Sequence, residues 1–319
     1  MTNKKYFELY DISEIVKNII IFIQNELKNF HKQGIVIGIS GGIDSALSTS
    51  LAVKALGKEK VLGLILPEKE SDPQNTILAE KFANSLKIQY EIIDITSMLD
   101  SLKIYEERES IIKKYYPSFN KNSKYRLSIT SNISSNKASI PFIEILENDN
   151  ISNYKISFND YSSITAATTM KIRTRMMLLN NYAEKNNFLV LGTTNKSEYD
   201  VGNFVRYGDG GVDIEPFLHL YKTQIFQLAK YLNIFPEIIE KKPSPDTWSF
   251  DTSDEEFFYG MSYEKFDLLL YSINNNISTE IMSQNLNLST EQTELLLKNI
   301  KRKITSSEFK RKMPTSLID

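Results

Sequence analysis

The sequence predicts an α/β protein built on a parallel sheet with helices on both faces, and three observations carry that prediction. Short strand-like stretches at residues 35–39, 61–66 and 89–95, the first two apolar, alternate with segments of helical pattern. Val61-Leu62-Gly63-Leu64-Ile65-Leu66 is apolar throughout, as suits a strand covered on both faces. The first run ends in Ser40-Gly41-Gly42-Ile43-Asp44-Ser45-Ala46, a tight turn that opens directly into a helix.

Taken in order, Asp11 or Ser13 caps a first helix whose Ile15, Ile19, Phe22, Ile23, Leu27 and Phe30 share one face. After the glycine turn, residues 46–56 read as helix and Gly57 ends it. A helix over residues 73–86 and a strand over 89–95 complete two strand–helix–strand units, which implies right-handed crossovers. Ligands of such sheets bind at the carboxyl ends of the strands. Ser40 and the Pro67 to Ser71 segment lie there.

Residues 113–160 change character, with Asn, Ser, Lys and Tyr dominant. Alternation at Tyr125-Arg126-Leu127-Ser128-Ile129 and Tyr154-Lys155-Ile156-Ser157-Phe158 predicts half-exposed strands, and Ile140-Pro141-Phe142-Ile143-Glu144-Ile145 predicts a third that Pro141 restricts to an edge. This reads as a small β insertion in one domain spanning 1–319; a loose loop is the alternative. The core pattern resumes with a long helix over 162–185, a strand at Phe188-Leu189-Val190-Leu191-Gly192, a glycine loop over 207–213 and a helix over 221–232. From Tyr263 to the end, 263–319, the chain reads as helical, with capping-box spacing at Ser289 and Gln292.

Composition narrows the chemistry. A net charge of −2 gives no electrostatic reason to expect nucleic acid as a partner. The absence of cysteine excludes disulfides, thiolate zinc and cysteine nucleophiles, and His31 and His219 are too few for a histidine metal cluster. Even the longest apolar runs, such as residues 19–23, are too short to span a membrane. No signal peptide is expected in the polar first 17 residues, so the expectation is a soluble, cytoplasmic protein.

The turn after the first strand faces its backbone N–H groups and a helix N-terminus toward the strand end, an arrangement that favours phosphate. It lacks the Gly-Lys-Ser/Thr of a Walker loop and the Gly-x-Gly-x-x-Gly of a dinucleotide fingerprint. Ser40 and Ser45 can donate to phosphate oxygens, whereas Asp44 is compatible with a polyphosphate only beside a cation. Glu198 follows a later strand, so Asp44 and Glu198 can share a Mg²⁺ with phosphate oxygens if those strands are neighbours. Read alone, the same residues also suit an ordinary glycine turn and two solvated acids.

The Ser-Gly-Gly-x-Asp-Ser loop resembles that of the N-type ATP pyrophosphatases. Further blocks look like those of NAD synthetase, in the same order over nearly the whole chain. They are Leu66-Pro67-Glu68-Lys69-Glu70-Ser71, Lys171-x-Arg173-x-Arg175-Met176, Gly192-Thr193-Thr194-Asn195-Lys196-Ser197-Glu198, Tyr207-Gly208-Asp209-Gly210 with Asp213, Leu220-Tyr221-Lys222-Thr223-Gln224, Lys242-Pro243-Ser244-Pro245-Asp246 and Phe309-Lys310-Arg311-Lys312-Met313-Pro314. The resemblance implies a Rossmann-like fold of the adenine nucleotide α-hydrolase type. It implies ATP as co-substrate, adenylation of the nicotinate carboxylate of deamido-NAD with loss of pyrophosphate, and displacement of AMP by ammonia. It implies that Ser40, Gly41, Gly42, Ile43, Asp44, Ser45, Ala46, Thr193, Lys222 and Ser244 hold ATP or pyrophosphate, with Ser40, Asp44 and Lys222 catalytic. Asp44 and Glu198 would hold Mg²⁺. Arg173, Arg206, Asp213, Phe309 and Lys310 would contact deamido-NAD. A homodimer is implied as well.

Some positions depart from the family pattern. Phe309 replaces a common histidine, Ser244-Pro245-Asp246 replaces Thr-Ala-Asp, Arg206 replaces a frequent lysine and Thr168-Thr169 replaces Gly-Asn. Ser244 keeps the hydroxyl for pyrophosphate; the other changes fall on the deamido-NAD side and leave open a related ligase that amidates another acid, such as a sugar acid. A catalytically silent nucleotide-binding regulator is the third reading. The chain has no cysteine for a glutaminase domain of its own, so ammonia comes from solution or from a separate glutaminase.

Overall fold

The computed structural model describes residues 6–130, 140–148, 150–241 and 259–317. Helix α1 (Ile12–Asn29) is capped by Asp11, whose side chain accepts from Glu14 N. Strand β1 (Gly34–Gly38) leads through the glycine turn to α2 (Ile43–Leu56), then β2 (Val61–Ile65), α3 (Pro73–Leu86) and β3 (Gln89–Ile92). Two helices follow, α4 (Thr96–Ser101) and α5 (Ile104–Tyr115), before the strands β4 (Lys124–Thr130), β5 (Ile140–Glu147) and β6 (Asn150–Lys155). The chain returns through α6 (Phe158–Asn186), β7 (Phe188–Val190), α7 (Lys196–Tyr199), α8 (Lys222–Tyr231) and α9 (Pro236–Ile239). It ends in α10 (Tyr263–Asn274), α11 (Thr279–Leu286), α12 (Thr290–Ser306) and α13 (Glu308–Arg311).

The main sheet runs β3-β2-β1-β7, with every pair parallel. Its alternation explains the continuous apolar runs. Ile35 and Ile37 of β1 join a core with Ile19 and Ile23 of α1, Leu47 of α2 and Leu228 of α8. Val36 points the other way, toward Leu99 of α4, Tyr105 of α5 and Met176 of α6. The strand order reverses at β1: β2 and β3 build outward on one side and β7 lies on the other. The crevice at the carboxyl ends of β1 and β7 is therefore a topological switch point.

Strands β4, β5 and β6 form a separate antiparallel sheet in that order, closed by Tyr125, Leu127, Ile143 and Ile145 against Ile112 of α5 and Ile164 of α6. The C-terminal helices pack around Phe266, Leu269, Met282 and Leu297. No helix among the described residues is long and apolar enough to cross a membrane.

Local expectations need four corrections. β5 is the central strand of its sheet, although Pro141 suggested an edge. The Pro141 carbonyl accepts from Ile156 N, so the side without an N–H faces β6 just beyond the last paired residues, Phe142 and Lys155. The strand expected at residues 154–158 lies earlier, because Ser157 accepts from Asp160 N and starts α6 at Phe158 instead. Phe22 and Phe30 are 38% and 49% exposed and leave the buried stripe of α1 to Val16, Ile19, Ile23 and Leu27. The strand expected over 89–95 ends at Ile92, although Ile93 and Ile95 still donate to Ile65 O and Pro67 O.

Candidate active site

Above β1, the chain turns at Gly41, which has φ +77°, and α2 begins at Ile43 with no side chain capping its N-terminus. Its first-turn N–H groups therefore face the strand ends as unfilled donors. The turn is braced from within: Ser40 Oγ lies 3.1 Å from Ser45 Oγ, and Ser45 Oγ donates to Gly42 O at 3.0 Å. A cavity of about 620 Å³ opens here, with Ser40, Gly42, Ile43, Asp44 and Ser45 in its wall.

Across the cavity, β7 runs into Thr193 and then α7, and α8 begins at Lys222. Lys222 is 1% exposed, and its ammonium donates to Asp44 Oδ2 and to Glu198 Oε1, the latter at 3.2 Å. Asn195 completes the arrangement. Its Nδ2 donates to Asp44 Oδ1 at 3.0 Å, while its Oδ1 accepts from Glu198 N in the capping box of α7. The Asn195 side chain thus holds the Asp44 carboxylate, while its backbone N–H donates to Glu198 Oε2 at 3.4 Å. Behind them, Asp267 of α10 accepts from Ser197 Oγ and from Thr223 N, which ties the starts of α7 and α8 to the C-terminal helices. Burial pushes the Asp267 carboxyl up to about 6.

The remaining walls add cations and buried acids. Arg175 of α6 lines the cavity, donating from Nε to Leu66 O at 2.9 Å. Lys310 lines it too, donating to Gly202 O and Phe204 O, and burial lowers its pKa. Asp209 faces the same space, and burial raises its carboxyl to about 6. Glu215 sits under Gly192, where an added Cβ would meet its carboxyl carbon at 2.2 Å; burial raises it to about 8.

The described residues among those singled out in sequence fall into three groups. Ser40, Gly42, Ile43, Asp44, Ser45, Thr193, Glu198, Lys222 and Lys310 line the cavity. Gly41 supports it from behind, against Asn75, and Ala46 is buried with its N–H bonded to Gly42 O inside the helix. Arg173, Arg206, Asp213 and Phe309 are not brought to it. Arg173 donates to Thr169 Oγ1, Arg206 to Lys312 O, Asp213 accepts from Val190 N, and Phe309 is 57% exposed. Ser244, with its proline-flanked block, lies outside the described residues.

Asn195 and Arg175 lie in the quoted sequence blocks without a site role, and Glu215 lies in none of them. Arg175 had a signal in its four-residue spacing from Lys171, which places both on one face of a helix. Asn195 had only a capping-box spacing to Glu198. For Glu215 no local pattern exists, because its burial depends on Gly192 on another segment.

The two carboxylates, the lysine between them and the open helix N-terminus can together grip a polyphosphate. Hard oxygen donors from Asp44 and Glu198 suit a small divalent cation that takes its other oxygens from substrate. Among the described residues no cluster of three or more potential metal ligands exists, so the protein alone offers an incomplete shell.

Comparison with known proteins follows the same lines. The family model for NAD synthase matches residues 15–142 and 119–314. The NH3-dependent NAD+ synthetase of Rhizobium rhizogenes is 33% identical over 299 residues, which cover 92% of this chain and 90% of that one. The Thermotoga maritima enzyme of the same name is 36% identical, with coverage of 82% and 87%. The solved NH3-dependent NAD synthetase of Campylobacter jejuni, in complex with nitrate, superposes with a TM-score of 0.65 at 29% identity over 97% of this chain and 100% of that one. The chain belongs to the NAD synthase family.

Proposed function

We propose that the chain is an ATP-dependent, ammonia-using amide ligase that converts deamido-NAD to NAD. The family membership supports the reaction. The observation that carries the site reading is the phosphate-ready turn at Ser40–Ser45 facing Lys222, Asp44 and Glu198 across one cavity.

The nicotinate carboxylate is already ionised near neutral pH and needs no base. One of its oxygens attacks the α-phosphorus of ATP, the bond from that phosphorus to the bridging oxygen breaks, and pyrophosphate leaves with the electron pair. Charge develops on the leaving group, where Ser40, Ser45, the N–H groups of Gly41, Gly42, Ile43 and Asp44, and the Lys222 ammonium stabilise it, while Ala46 N, bonded to Gly42 O, holds the turn behind them. Thr193 contacts ATP, and Ser244 contributes its hydroxyl. Ammonia then attacks the activated carbonyl carbon, AMP leaves, and the amide nitrogen loses a proton.

Asp44 and Glu198 would hold Mg²⁺, which when bound neutralises phosphate charge. The Lys222 ammonium, which donates to Asp44 and Glu198, would also offer a donor to phosphate. Arg173, Arg206, Asp213, Phe309 and Lys310 serve deamido-NAD. Arg206 and Phe309 lie at the surface, which is consistent with a substrate groove completed by a second copy of the chain. Met177 of α6, 58% exposed, supports that helix as a face of a homodimer. Ammonia arrives from solution or from a separate glutaminase, and the enzyme works in the cytoplasm. Residues 113–160 form an insertion in a single domain of residues 1–319, and residues 263–319 are its helical C-terminal part.

The test is purified protein with ATP, Mg²⁺, ammonium and deamido-NAD, followed for AMP and NAD. Equal yields of NAD and AMP are expected. AMP formation only with another carboxylic acid, such as a sugar acid, replaces the substrate assignment. No pyrophosphate release with any acid removes the catalytic reading altogether.

A further inference from the structure

The loop after β2 forms part of the cavity wall through Leu66, Pro67 and Ser71, and its two acids, Glu68 and Glu70, are held by buried charges. Glu68, 4% exposed, accepts from Lys171 Nζ at 2.8 Å and from Tyr105 OH at 2.6 Å. Glu70 accepts from both terminal nitrogens of Arg108, at 2.6 and 2.8 Å, and from Lys171 Nζ at 2.6 Å. Two acids and two bases make the cluster neutral. Arg108 is 2% exposed, and its guanidinium lies over the rings of Tyr105 of α5 and Tyr125 of β4, at 5.3 and 4.7 Å. Its Nε has no hydrogen-bond partner among the described residues.

Such a cluster is a poor way to gain stability, since apolar side chains of similar volume commonly do as well. Its geometry is what apolar packing cannot supply. A guanidinium fork fixes a carboxylate in two dimensions. Here the fixed carboxylate sits one residue before Ser71, whose Oγ accepts from Glu68 N and lies 3.4 Å from Arg175 Nη2. Arg175 is itself a cavity cation and is anchored on Leu66 O. Burial opposes ionisation of Glu70, yet Lys171 and Arg108 outweigh it and hold its pKa below the usual value. The elements that supply the clamp are α5 and α6, the helices on either side of the β4–β6 sheet in the chain, and Tyr125 brings that sheet onto Arg108.

We infer that Arg108 is a positioning residue for the ATP half of the reaction, acting through Glu70 on the cavity loop and through Ser71 on Arg175, and so linking the β4–β6 sheet to nucleotide binding. The inference rests on the reading of the cavity as the ATP site.

The test varies ATP at saturating deamido-NAD and ammonium in wild type, Arg108→Met and the charge-balanced Glu70→Gln/Arg108→Met. The double variant leaves Lys171 paired with Glu68, so it keeps a neutral buried cluster even where Arg108→Met alone folds poorly. Both variants are expected to raise KM for ATP about tenfold, with KM for deamido-NAD within about twofold and kcat at saturating ATP within about threefold of wild type. A cluster that only stabilises the fold would lower the melting temperature and the active fraction and leave KM for ATP unmoved. That result, or a wild-type KM for ATP in the double variant, overturns the inference. Wild type that forms neither AMP nor NAD overturns the site reading first, and this inference with it.

Discussion

The ammonium of Lys222 donates to Asp44 Oδ2 across the mouth of the β1–β7 crevice, joining the first residue of α8 to the second residue of α2. Glu198 shares the same ammonium at 3.2 Å, so one buried cation stands between two carboxylates. This arrangement accounts for an acid beside a phosphate loop. Both carboxylates accept from Lys222; in the proposed function they would hold the metal and the lysine would donate to phosphate.

Asp44→Asn is expected to lower AMP formation by at least about 100-fold while the circular dichroism spectrum stays that of wild type. The amide keeps the size of the side chain and can still accept from Lys222. Lys222→Met is expected to lose both activity and about 3 kcal/mol of stability, because two carboxylates then face each other with no cation between them. An active Asp44→Asn enzyme would remove the metal and phosphate role given to Asp44. Chelation of Mg²⁺ should likewise stop AMP formation, and unimpaired turnover in EDTA would exclude the metal.

Gly41→Ala is expected to destabilise the chain by about 1–3 kcal/mol. Its φ of +77° disfavours any side chain, and a Cβ there would lie 2.5 Å from Asn75 O, which is backbone. Gly42 differs, with φ −93° and a nearest contact of 3.3 Å to the Ser40 hydroxyl. Gly42→Ala should therefore shift the urea midpoint much less. Equal shifts would mean that the strain at Gly41 is absent.

The parallel sheet was legible in sequence because burial on both faces of β1 and β2 leaves no room for polar residues. The glycine turn was legible because an apolar strand pattern, two glycines and a helix pattern follow one another directly, as β1, Gly41-Gly42 and α2 do. The Lys222–Asp44 pair was half legible. Its residues could be singled out, but their contact depends on how α8 packs on α2, which no local pattern encodes. Arg108 and Glu70 were opaque for the same reason, since a buried arginine looks like a surface one until its partners are known. Asp213 had no structural role legible in sequence: its carboxylate accepts from Val190 N, a contact that depends on where the loop packs on β7.

Stability should depend on pH through Glu215. Burial, reinforced by the charges of Asp209 and Glu198, raises its carboxyl to about 8, against the opposing hydrogen bonds from Thr194. A carboxyl that stays protonated in the folded chain after the unfolded chain has released its proton makes the native state bind more protons, so stability falls as pH rises. The window runs from the ordinary value of 4.5 to about 8. Glu215→Gln keeps an acceptor for Thr194 N and cannot ionise. Its advantage over wild type in urea unfolding, measured without Mg²⁺, should grow by about 2 kcal/mol between pH 5 and pH 8. A constant difference across that range would place the proton elsewhere.

Asn195 separates a helix cap from a catalytic position within one side chain. Its Oδ1 caps α7 through Glu198 N, whereas its Nδ2 holds Asp44 Oδ1. Asn195→Ala removes both interactions and should cost about 1 kcal/mol of stability together with a loss of about 10- to 100-fold in AMP formation. Asn195→Ser retains a capping oxygen and lacks an amide that reaches Asp44. It should recover most of the stability and little of the rate. Recovery of both would reduce Asn195 to a cap; recovery of stability alone assigns the rate to the orientation of Asp44, because the fold of α7 is then the same in the slow enzyme and the fast one.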